Sequence, residues 1–247
     1  SQFVLTGIYE YDRFLISGTC FLFFYILHRK FSFRSYVKVG VAIYANGVDD
    51  IRNIYEKIGP YPDFIHVDIV DNTFLENAKE VKSYKLEIIK ALWPDKEIHV
   101  HIMSKNPSKW INIVKDYSDK IFFHFEIDEN INDIISQHKD YKKFLGLAVS
   151  VNTNFEDYKP SIKLFDNLLF LTIKKPGYSG QQLLESSYTK IDKINTITKN
   201  RKFNLCVDGG INSYNINNIN SEEIVSGSFI LRNENPIETL LKLKFNT

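Results

Sequence analysis

Two histidines and two aspartates stand where short apolar runs would bring them together. In the run 64–70 (FIHVDIV), His66 and Asp68 are two residues apart, so an extended chain turns both side chains to one face. The run 97–103 (EIHVHIM) repeats the arrangement with His99 and His101, and Asp208 ends a third run just before Gly209 and Gly210. Imidazoles and carboxylates drawn from three strands to one mouth form a donor set suited to one Zn²⁺, Fe²⁺, Mn²⁺ or Co²⁺ ion. A lone His-x-Asp is more often a satisfied hydrogen-bonding pair, and a lone strand-end aspartate is often a turn or helix cap. It is the coincidence of all three features that points to a metal.

A second group of residues suits an anion. Gly177, Tyr178, Ser179 and Gly180 lie in the loop 176–181, Gly209 and Gly210 follow the apolar run 203–209, and Gly227 and Ser228 close the run 222–228. Glycines there let backbone N–H groups approach a phosphate closely, and helices starting after the last two runs would add their positive ends. Taken with the metal set, these loops predict a small phosphorylated substrate.

The elements that must position these groups follow from hydrophobic patterning. Apolar runs at 37–43, 64–70, 97–103, 120–126, 144–150, 168–174, 203–209 and 222–228 read as strands, and between them lie helical patterns such as 78–92, 107–117, 185–198 and 236–243. Strands apolar on both faces are what a parallel sheet covered by helices requires. The expectation is an α/β fold, one (β/α)₈ TIM barrel over residues 37–247, with its site at the C-terminal ends of the strands. An open doubly wound sheet is the rival, but no Gly-x-Gly-x-x-Gly follows the first strand. Residues 1–36 form an N-terminal extension whose uncharged run at 14–27 is too short to span about 30 Å of hydrocarbon. Ser17-Gly18-Thr19 splits that run, which reads as a hairpin. The chain opens Ser-Gln without Met, as a piece of a longer polypeptide fused to another domain would.

Composition narrows the partners. Of the 247 residues, 31 are Lys or Arg and 30 are Asp or Glu, a net charge of +1 that attracts neither nucleic acid nor membrane, so any anion site must be local. Cys20 and Cys206 are too few for a disulfide framework, and Cys206 sits in an apolar run, which fits a reducing cytoplasm.

At these motifs the sequence resembles the ribulose-phosphate 3-epimerase family over roughly 37–243. The residues that carry the resemblance are His66-Val67-Asp68-Ile69-Val70-Asp71-Asn72, Val100-His101-Ile102-Met103 with Asn106-Pro107, His124-Phe125-Glu126, the loop 176–181 (PGYSGQ), Val207-Asp208-Gly209-Gly210-Ile211 and Ser226-Gly227-Ser228. The resemblance implies a barrel isomerase that epimerises a ketose phosphate, ribulose 5-phosphate/xylulose 5-phosphate or a relative, and assembles as a homo-oligomer. His66, Asp68, His101 and Asp208 would hold one divalent metal, with His99 a neighbour. Asp68 and Asp208 would be the two acid/base groups, exchanging a proton across an enediolate. Departures fall around the substrate. Val41-Ala42 stands for the family's Pro-Ser, Asn72 for a glycine, Val70 and Thr172 for methionines of which only Met103 is kept, and Lys174-Lys175 for apolar and acidic residues. Met103, Thr172 and Lys174 thus form an altered substrate shell, which admits a larger ketose phosphate or inversion at a neighbouring carbon.

Two other classes compete. Lys174, near the end of the sixth run, would suit a Schiff-base aldolase. A non-catalytic barrel module of a larger protein is the third reading. Keeping two imidazoles and two carboxylates together weighs against an idle scaffold.

Overall fold

The computed structural model describes residues 37–44, 48–78 and 84–245. The predicted extension 1–36 and its hairpin lie outside these. Eight parallel strands close into a barrel in chain order: β1 Lys38–Ile43, β2 Phe64–Val70, β3 Glu97–Met103, β4 Lys120–His124, β5 Leu145–Ser150, β6 Asn167–Leu171, β7 Asn204–Asp208 and β8 Glu223–Val225. Helices α1 Val48–Ile58, α2 Tyr84–Leu92, α3 Ser108–Val114, α4 Ile131–Gln137, α5 Phe155–Ile162 and α6 Ser186–Thr198 follow the first six strands in turn, and α7 Ser228–Leu231 and α8 Pro236–Phe245 both follow β8. The predicted TIM barrel is therefore the fold.

Period-two alternation sorts each strand. Ile65, Val67 and Ile69 of β2, Ile98, Val100 and Ile102 of β3, and Leu205 and Val207 of β7 pack outward in the cluster shared with the helices. Phe64, Phe122, Leu169, Leu171, Cys206 and Val225 fill the interior. Two glycines make room for the largest of these. A Cβ on Gly40 would stand 2.1 Å from the Phe64 ring, and one on Gly146 would stand 2.5 Å from the Phe122 ring. No other residue type fits at either position while those rings stay.

The strands start on a charged layer and end on the candidate site. The first residues of β3, β4 and β8 bring Glu97, Lys120 and Glu223 together, with Lys120 Nζ 2.6 Å from a buried Glu223 oxygen. This network closes the N-terminal end, so His66, Asp68, His101 and Asp208 are presented to the other.

Two boundaries differ from the sequence expectation in a way that matters. The sixth strand ends at Leu171, not near 174. The Thr172 N–H donates to Asp208 O at 2.8 Å, and its hydroxyl donates to the carbonyls of Asp208 and Gly209, so the chain turns there. The seventh strand is followed by a 3₁₀ turn at Ile216–Asn218, where a helix was expected.

Candidate active site

The parallel register places the four groups. Asp68 pairs with His101 across β2 and β3, His66 with His99, and Leu171 with Asp208 across β6 and β7. One donor atom each of His66, Asp68, His101 and Asp208 lies within 4.8 Å of all the others. His101 Nδ1 stands 2.9 Å from Asp68 Oδ1, and His66 Nε2 stands 3.4 Å from the same oxygen. His66 is fully buried, yet neither ring nitrogen has an aligned hydrogen-bond partner. Orphaned buried nitrogens are costly and rare. Here Nε2 faces Asp68, as an imidazole of a metal site would, and the set fits a divalent ion by donor type and spacing.

Electrostatics separate the two acids. Burial pushes both carboxyls up, but contacts with His101 and His66 overcome it at Asp68 and hold that group well below the usual carboxylate range. Burial, reinforced by the negative charge of Asp68 and only partly offset by His66, lifts Asp208 to about 7. Burial alone would lower His66, but the contact with Asp68 and the charges of Asp68, Asp208 and Glu223 raise it on balance. His101 is held down to about 4, mainly by burial. Two carboxyls whose proton affinities are pushed apart within one shared site are the arrangement that acid/base pairs use.

Behind His101 runs a polar chain to which the sequence reading assigned no role. His101 Nε2 lies 2.9 Å from His124 Nε2, and His124 Nδ1 lies 2.9 Å from Glu126 Oε2. The other Glu126 oxygen accepts from the Ser150 N–H at 3.0 Å and from the Thr153 hydroxyl. Burial would raise Glu126, but these bonds hold it at about 2, so it is ionised. His124-Phe125-Glu126 was visible as a motif, but only the β3–β4 register joins it to the cluster. Asp71 was likewise visible without a role. It is buried and accepts from Trp110 Nε1 at 2.8 Å and Ser104 Oγ at 2.7 Å, fastening the loop after β2 to the β3 side of the mouth.

A cavity of about 630 Å³ opens over the cluster, within the ~300–1,000 Å³ typical of small-ligand sites. All the predicted phosphate residues, Gly177, Tyr178, Ser179, Gly180, Gly209, Gly210, Gly227 and Ser228, line it, as do Asp68, His101, Asp208 and Met103. Gln181 clasps the first loop, donating to Lys175 O at 2.6 Å and Tyr178 O at 2.8 Å. Gly210 has φ +68°, and a Cβ on it would stand 2.3 Å from Leu183 N. Glycine alone therefore lets the loops after β6 and β7 meet.

Three expectations need correction or refinement. Thr172 does not face the cavity, because its hydroxyl is turned to the Asp208 and Gly209 carbonyls, and Leu171 and Ile173 line the wall in its place. Lys174 does not line it either. It lies three residues past the end of β6 with its side chain exposed, which removes the geometric basis for a Schiff base. His99 is a neighbour, as expected, one layer down. Its Nε2 lies 3.2 Å from Glu97 Oε2 and its ring stacks on Phe64 with centroids 4.1 Å apart. Ala42, at the missing family serine, does line the cavity.

Fold and site together define a (β/α)₈ barrel enzyme with a buried imidazole–carboxylate cluster under glycine-rich loops. The family model described as ribulose-phosphate 3 epimerase family matches residues 40–231. The chain belongs to that family, whose named members are isomerases. A ribulose-phosphate 3-epimerase of Chlamydia pneumoniae is 34% identical over 156 residues, 60% of this chain and 66% of that protein. One of Schizosaccharomyces pombe is 24% identical over 205 residues, 79% of this chain and 88% of that protein. The 3-hexulose-6-phosphate synthase of Salmonella typhimurium shares the fold, with TM-score 0.64 and 19% identity over 85% of this chain and 97% of that one. Among the described residues no helix is long and apolar enough to cross a membrane.

Proposed function

We propose that the chain is a metal-dependent ketose-phosphate 3-epimerase acting on ribulose 5-phosphate/xylulose 5-phosphate or a closely related ketose phosphate. The observation that carries this reading is the convergence of His66, Asp68, His101 and Asp208 on one point under the glycine loops, with the two carboxyls supplied from β2 and β7. Asp68 takes the proton from the carbon beside the ketone, and Asp208 delivers one to the opposite face. In the reverse direction the roles exchange. The glycine loops hold the phosphate, fixing the reacting carbon between the two acids.

His66, Asp68, His101 and Asp208 would hold the metal, Zn²⁺, Fe²⁺, Mn²⁺ or Co²⁺. When bound, it supplies positive charge that stabilises the negative charge developing on the two adjacent substrate oxygens. The proton count along the polar chain supports this assignment. Glu126 accepts from His124 Nδ1–H, and a metal held on His101 Nδ1 would leave His101 Nε2–H to donate to His124 Nε2. With the metal bound, His101 Nδ1 and Asp68 Oδ1, 2.9 Å apart, would both turn lone pairs to it. Glu126→Gln, which loosens that tautomer, should weaken metal binding about 10- to 100-fold while leaving the fold intact. Competition with a fluorescent chelator measures it, and an unchanged affinity would detach Glu126 from the site.

The buried thiol of Cys206 favours a reducing, cytoplasmic setting, and the homo-oligomeric state belongs to the same reading. The decisive experiment is proton NMR in D₂O of metal-loaded protein with five-, six- and seven-carbon ketose phosphates. Exchange and inversion at C3 of at least one are expected. No exchange on any of them would end the epimerase reading in favour of a non-catalytic module.

A further inference from the structure

The cavity carries one positive side chain to which the acid/base chemistry gives no role. Among the described lining residues, Arg232 is the only Lys or Arg. It caps α7, its backbone N–H donating to Ser228 O at 3.1 Å. Helical side chains lean toward the N-terminal end, so a residue four places after Ser228 is carried back over the start of that helix. The guanidinium accordingly lies against the loop after β6. Nη2 donates to Ser179 Oγ at 3.2 Å, and Nη1 is 3.1 Å from where a Cβ on Gly180 would stand. No described carboxylate pairs with it. Arg201, by contrast, is occupied by the Ile162 and Phe165 carbonyls and stands 3.8 Å from Asp166.

We propose that Arg232 is a specificity residue that grips the substrate's phosphate through its guanidinium and makes the site select a phosphate monoester over an uncharged ketose. The proposal rests on the phosphate reading of the glycine loops. Those loops offer an anion partial charges and hydroxyls only. A full positive charge at the loop end strengthens the hold of those loops on a phosphate dianion, and the planar fork of a guanidinium matches phosphate oxygens in pairs. The 3.2 Å bond to Ser179 parks that fork beside the two glycine loops.

The test separates charge from a mere tie between loops. Calorimetry with inorganic phosphate on the unaltered chain and on Arg232→Gln, Arg232→Lys and Arg232→Ala reads binding without turnover. Arg232→Gln should lose about tenfold to hundredfold in phosphate affinity, with a matching rise in KM and little change in kcat. Lysine should recover part of the loss, and added guanidinium ion should restore affinity to Arg232→Ala, because a detached ion cannot tie loops together. Arg232 is exposed, so thermal melting of the variants should match that of the parent. Phosphate affinity unchanged in Arg232→Gln, or a loss that neither lysine nor guanidinium repairs, overturns the proposal. So does a parent chain that binds no phosphate. A parent that binds phosphate through Arg232 but epimerises nothing would sustain this inference while removing the epimerase.

Discussion

Asp208→Asn is expected to lower epimerisation by about 10³- to 10⁴-fold, the upper part of the range for removing a general acid or base. Asparagine keeps the shape of the side chain and leaves the backbone role of residue 208 untouched, since the Thr172 hydroxyl and N–H both bind the main-chain carbonyl. The fold should therefore survive. What is lost is the carboxyl that the proposed reaction needs on the β7 side, a group whose proton affinity burial raises. The loss should also be lopsided. Asp68 still faces the substrate, so one epimer should continue to exchange its hydrogen with solvent deuterium without inverting, while the other should do neither. Parent and variant must be compared at equal metal occupancy, because Asp208 is also in the proposed ligand set. Inversion within tenfold of the parent under that condition would refute the two-acid arrangement.

The residues behind this prediction differ in how far sequence alone revealed them. β2 and β3 were legible to the residue, because His66, Asp68, His99 and His101 interrupt alternating apolar runs with a period of two. Asp208 was legible because glycines follow it and mark the strand end. The end of β6 was not, since it is set by Thr172 reaching carbonyls 36 and 37 residues later, and that error moved Lys174 into a site it does not enter. The link from Asp68 through His101 and His124 to Glu126 needs the barrel's register, and no spacing within one strand predicts it. Arg232 escaped notice for a plainer reason. A charged residue just after a short helix looks like any solvated surface position until the β6 loop is seen folded against it.

Lys120→Met is expected to destabilise the protein by about 3–5 kcal/mol, the cost of leaving a buried carboxylate without its partner. Glu223 opens β8 with a side chain only 2% exposed. Its oxygens are satisfied by Lys120 Nζ at 2.6 Å and by Asn204 Nδ2 at 2.8 Å, and Lys120 itself is only 16% exposed, so water does little to screen the pair. The remaining neighbours are weaker partners. Lys38 stands 3.9 Å away and is half exposed. His99, also 3.9 Å away, is held down to about 4, chiefly by burial, and so is uncharged at neutral pH. Methionine keeps the length and apolar stem of lysine, which confines the change to the charge. Adding Glu223→Gln should recover most of the loss, because glutamine still accepts from Asn204 and carries no charge to be compensated. Urea unfolding followed by circular dichroism reads both variants, and a loss under about 1 kcal/mol for Lys120→Met would mean that the network is solvated rather than buried. Because it lies at the strand starts, the folded fraction of Lys120→Met should keep the parent's turnover, which separates this end of the barrel from the one that carries Asp68 and Asp208.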